Sequence, residues 1–80
     1  LPKLKKVDAV NNPSLIKVGS VFIMDFGGGK GHTGIVESVS AGFITSIEGN
    51  TNNSLSREGI GVFRQKRKVN SINKGFILTQ

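Results

Sequence analysis

No apolar run in this chain is longer than four residues, Val21–Met24. A membrane-spanning helix needs about 20 consecutive apolar residues, so none is encoded here. Apolar positions also fail to recur every third or fourth residue, so a long amphipathic helix is not expected either. Short β-rich runs separated by turn residues remain, and 11 of the 80 residues are glycine. That pattern reads as strands and turns within a single small domain. Such a domain buries only ~60% of its unfolded surface. There is no cysteine to staple it, hence no disulfide, no thiolate-bound zinc and no thiol nucleophile within these residues.

The expected fold is mainly β, an antiparallel sheet with a short N-terminal helix near residues 2–10. Residues 1–17 read as a linker or remnant and 18–80 as the β unit. Residues 1–14 are basic, then polar, and end in the turn cluster Asn11-Asn12-Pro13-Ser14. Val21–Met24 reads as a buried strand, residues 27–31 as a flexible glycine loop, and residues 32–39 and 43–48 as two further strands. Residues 50–56 are polar and read as a loop. Residues 60–65 read as a strand, 64–68 as a basic turn and 75–78 as a short last strand. There is no internal repeat.

One hairpin can be derived. Ser40-Ala41-Gly42 separates two apolar strands, and a three-residue loop ending in glycine fits a type I turn closed by a left-handed residue. Val39 then faces Phe43, Val36 faces Ser46, Gly34 faces Glu48, and His32 faces Asn50. Directly opposed residues share a face, and diagonal neighbours lie ~7–8 Å apart. His32, Glu48 and Asn50 therefore project to one side. A one-residue slip would send Glu48 and Asn50 to the other side.

That trio has the composition of the base side of a nucleophilic site. An imidazole takes a proton from a nucleophile and returns it to the leaving group. A carboxylate or amide oxygen on its other nitrogen fixes tautomer and orientation. Gly31 and Gly34 leave space around His32 for a substrate backbone or a second chain segment. The competing reading is an exposed histidine beside a structural glutamate and asparagine.

Other candidates are weaker. Thr33 should point away from His32, Ser46 lies farther from it, and Ser54 and Ser56 fall in the polar loop, so no serine or threonine replaces a thiol. The glycine-rich stretch before His32 has Met24 where a Walker loop has its first glycine, and a strand follows it. Asp25, His32 and Glu48 lack metal-ligand spacing, so neither metal nor cofactor is expected. Lys and Arg number 11 against five acids, a net charge of +6 and a pI near 10.2. The run Arg64-Gln65-Lys66-Arg67-Lys68 reads as a solvated turn or as a contact for an anionic polymer, with Arg64, Lys66 and Arg67 as binding residues. Nucleic acid is the lesser alternative, because Phe63 offers the only nearby stacking surface.

Gly31-His32-Thr33-Gly34-Ile35-Val36, Ile47-Glu48-Gly49-Asn50-Thr51 and Lys74-Gly75-Phe76-Ile77, with Val18-Gly19-Ser20-Val21-Phe22-Ile23 before them, resemble the CHAP family over about residues 18–78. These are cysteine, histidine-dependent amidohydrolases/peptidases of bacterial cell-wall hydrolases and phage lysins. Ser20 stands where an aspartate is commoner. The resemblance implies the sheet half of a papain-like α+β fold. In it His32 is general base and acid, Glu48 orients it and Asn50 assists. It also implies peptidoglycan or an anionic wall polymer as partner, at a cell-wall, extracellular or phage-associated location. The nucleophilic cysteine and its helix are absent. The chain then reads as a fragment that pairs with the missing half, or as a degenerate relative that binds wall polymer. The non-Met start and the His-Glu-Asn set favour the fragment. An exposed sheet edge would also permit self-association.

Overall fold

The computed structural model describes residues 2–49 and 61–79. Its strands are β1 (Lys3–Leu4), β2 (Val21–Gly27), β3 (Lys30–Ser40), β4 (Phe43–Gly49), β5 (Val62–Lys68) and β6 (Phe76–Ile77). One short helix, α1 (Lys6–Asn11), and two 3₁₀ turns, Pro13–Leu15 and Val69–Ser71, complete the described elements. The strands form one six-stranded antiparallel sheet in the order β1-β6-β2-β3-β4-β5. The mainly-β antiparallel reading therefore holds. No described helix is long and apolar enough to cross a membrane.

Burial alternates along β2 and β4, as it must when one sheet face is packed and the other faces water. Phe22, Met24, Val36, Ile44 and Phe76 point into the core, with Ala9, Ile16, Val69 and Ile72 packed against them. Ala9 comes from α1, and Val69 from the second 3₁₀ turn. The segment before Val18, expected as a linker, is thus part of the packed unit. β1 pairs with β6, and Leu4, Ala9 and Ile16 are buried. The physical reason is that an apolar sheet face needs a covering layer. Among the described residues after Val18 only one short 3₁₀ turn is available to supply it.

Two expected loops shrink for a related reason. The glycine stretch expected over residues 27–31 closes as a turn at Gly28–Gly29, with Gly27 paired to Lys30 and Asp25 to Gly31. Asp25 Oδ1 accepts the Gly27 amide at 2.8 Å, which anchors the turn. The run expected as a basic turn over 64–68 lies instead in β5, because the open edge of β4 pairs with it from Phe43↔Lys68 to Gly49↔Val62.

The β3–β4 hairpin departs from its expected turn and still reaches the expected register. Ser40 faces Phe43 and Val39 faces Ile44, so the loop is the two residues Ala41 and Gly42. Both have positive φ, 53° and 81°, as a type I′ turn requires. This shifts the pairing by one residue. The register then changes between Val36 and Ser38, leaving Glu37 as the bulged residue. Beyond the bulge Val36 faces Ser46 and Ile35 faces Ile47, as derived from sequence. A two-residue turn plus one bulge gives the same offset as a three-residue loop.

Ala41 sits in the left-handed region with a Cβ, a conformation that costs a non-glycine residue on the order of 1 kcal/mol. Ala41→Gly, or Ala41→Asn to match the favoured Asn-Gly turn, should raise stability by roughly 0.5–1 kcal/mol and the melting temperature by a few degrees. Thermal denaturation followed by circular dichroism checks this, and an unchanged or lower melting temperature for both variants contradicts the turn assignment.

Candidate functional site

β3 carries His32 opposite Met24 of β2, and β4 carries Glu48 opposite Phe63 of β5. Because Val36 faces Ser46 on the core side, alternation places Gly34 and His32 on the face that Glu48 occupies. The contact confirms it: His32 Nε2 donates to Glu48 Oε1 at 2.5 Å. Gly34 makes the approach geometrically feasible. A Cβ there would lie 2.5 Å from Phe22 Cε2 and 2.8 Å from Glu48 Cγ. Gly34 is buried, and its missing side chain leaves room for the Phe22 ring and the Glu48 stem. Of the two expected occupants, substrate backbone or a second segment of the chain, the space at Gly34 is taken by side chains of other strands.

Glu48 is only 5% exposed, and its carboxylate is saturated with donors. Oε1 accepts His32 Nε2 and, at 2.8 Å, Arg67 Nη2. Oε2 accepts Arg67 Nε and Ser46 Oγ, each at 2.6 Å. The Arg67 guanidinium also lies 5.8 Å from the centroid of the buried Phe22 ring, and the His32 ring is 6.0 Å from the same centroid. One aromatic ring thus floors both the cation and the imidazole. The Arg67 hydrogen bonds are the largest influence holding the Glu48 carboxyl at about 2. Burial opposes them, and the Ser46 and His32 bonds and the Arg67 charge add to them. Glu48 is therefore ionised throughout the neutral range.

An ionised carboxylate on Nε2 selects the tautomer with its proton on that nitrogen. Nδ1 is then the basic nitrogen. His32 is partly exposed and lines an open groove of about 690 Å³ with Met24, Asp25, Lys30, Gly31 and Gly49. The arrangement can take a proton from a group in the groove and hand it back, while Glu48 holds the ring.

The remaining sequence candidates scatter. Gly31 lines the groove, close against the Met24 carbonyl. Asn50, Ser54 and Ser56 lie outside the described residues. Strand alternation divides the basic run, leaving Arg64, Lys66 and Lys68 on one face and Arg67 on the other. Arg67 turns inward to Glu48. Arg64 lies on the outer face, where it makes a bidentate pair with Glu37 at 2.8 and 3.0 Å. Lys66 sits 5.0 Å over the Phe43 ring. Both arginines assigned to polymer binding are thus engaged by the protein's own carboxylates.

Two members of the site were missed as such. Ser46 shares the parity of Glu48 on β4, so a supporting role could be read from alternation alone. Arg67 could not be placed this way. No turn between β4 and β5 could be derived from sequence to set their register.

Comparison with known proteins supplies one match. The family model described as CHAP domain matches residues 3–50, more than half of the chain. No curated protein and no solved structure matches.

The folded-state pKa of Glu48 lies below the ordinary carboxyl value, so its stabilisation is complete above ~4.5 and drains as pH falls toward 2. Acid melts across that window should cost the wild type up to roughly 3 kcal/mol. Glu48→Gln should start less stable, with a flatter pH dependence; a slope equal to wild type would assign acid sensitivity to other carboxyls. Gly34→Ala should cost about 1–3 kcal/mol by overpacking against Phe22. It should also weaken the His32–Glu48 contact, seen as loss of the imidazole N–H resonance. An alanine variant with the melting temperature and resonance of wild type would refute the close-approach account.

Proposed function

The chain belongs to the CHAP domain family, and on that premise we propose that it supplies the general base of a cysteine-dependent amide hydrolase acting on peptidoglycan. The observation that carries this reading is His32 held through Nε2 by a buried carboxylate while the residue lines an open groove. The sequence has no cysteine, so the attacking sulfur comes from a residue outside these 80.

In the proposed reaction the thiol gives its proton to Nδ1 of His32, and the thiolate adds to the scissile carbonyl carbon. The imidazolium then protonates the leaving amine as the C–N bond breaks, leaving a thioester. His32 next takes a proton from water, and the resulting hydroxide attacks the thioester. The carboxylic acid leaves and the thiol is restored. Glu48 keeps its charge throughout and holds the ring through both transfers, with Asn50 as an assisting group. Gly31 forms part of the groove wall along which a peptide backbone would lie.

The test grafts a cysteine-bearing helical half from an active CHAP domain onto this chain and measures release of soluble fragments from purified cell wall. Hydrolysis should appear, and His32→Ala should lower its rate by ~10²–10⁴-fold, the usual contribution of a positioned base. A graft whose rate survives that substitution within tenfold removes His32 from the chemistry. A folded graft that binds wall without cutting it supports the polymer-binding alternative.

A further inference from the structure

The carboxylate behind His32 has a partner that base catalysis alone does not call for. A buried glutamate hydrogen-bonded only to an imidazole would favour the imidazolium, because an opposite charge at contact stabilises the protonated ring. It would also be free to swing, since a glutamate side chain has three rotatable bonds. Here a third strand intervenes. β5 brings Arg67 opposite Ile44, two same-face positions along β4 from Glu48, and its fork clasps both carboxylate oxygens. The bidentate geometry restricts the carboxylate plane, and Ser46 Oγ closes the remaining position on Oε2. The Phe22 ring beneath the guanidinium limits where the arginine itself can go.

We propose that Arg67 is a positioning residue for His32, clamping Glu48 so that the imidazole keeps one tautomer and one orientation. This rests on His32 being the base. The fork holds both carboxylate oxygens, so Oε1 stays aimed at Nε2. Lysine in its place would keep the charge and lose the fork.

Imidazole nitrogen resonances of the intact 80-residue chain report the tautomer. Arg67→Met keeps an apolar stem over Phe22 and should mix the two His32 tautomers. Arg67→Lys should leave them mixed as well, because the charge returns without the fork. A folded Arg67→Met protein whose His32 tautomer ratio superimposes on wild type overturns the proposal. Should the methionine variant not fold, the wild type still decides: the Arg67 Nε–H resonance should move with the titration of His32, and an arginine signal indifferent to it also overturns the proposal. These outcomes are independent of hydrolysis. An inactive graft with coupled Arg67 and His32 signals sinks only the catalytic reading, and an active graft with uncoupled signals sinks only this one.

Discussion

The Glu48 carboxylate is the point at which three strands are tied together. It leaves water almost completely, and a lone buried charge would cost several kcal/mol. Four donors prevent that, two on each oxygen, from His32 on β3, Ser46 on β4 and Arg67 on β5. Each donor is positioned only while its strand keeps register. The ion cluster thus demands the sheet, and the sheet places the cluster. Removing Arg67 would leave the buried Glu48 charge without its cation, which is why such networks are sensitive to single changes even where their net stabilisation is small.

Around that point the small core does two jobs. Phe22 is fully buried, anchors the sheet to Phe76 across the β2–β6 pairing, and presents its ring to both His32 and Arg67. Gly34 lets that ring and the Glu48 stem meet over β3. The imidazole consequently lies near a packed aromatic ring and lines an open groove. A base needs both features: restraint to keep it aimed, and access to the group it deprotonates.

Much of this geometry was legible in the residues. Short β-rich runs announced the antiparallel sheet, and period-two alternation brought His32 and Glu48 to one face. The turn was misread, since Ala41–Gly42 is a two-residue loop, yet the Glu37 bulge returned the pairing to the derived register. A bulge leaves no compositional mark, so the two departures could not be seen separately. The N-terminal segment was underestimated because Leu4, Ala9 and Ile16 show no periodic signature. They are buried because the sheet needs a cover, a requirement that exists only once the sheet has formed.

The amino-acid sequence alone determined which chemistry is available. There is one histidine, an acid placed to reach it by strand alternation, and no thiol. These follow from residue identity and a local repeat of two. Which basic residue serves the site was decided by tertiary structure. Arg64 and Arg67 are chemically identical in sequence, yet one lies outside on Glu37 and the other inside on Glu48. Their separation arises from the register of β5 on β4, a long-range pairing in which a single-residue slip would exchange the faces and bring a lysine where the Arg67 fork now meets Glu48.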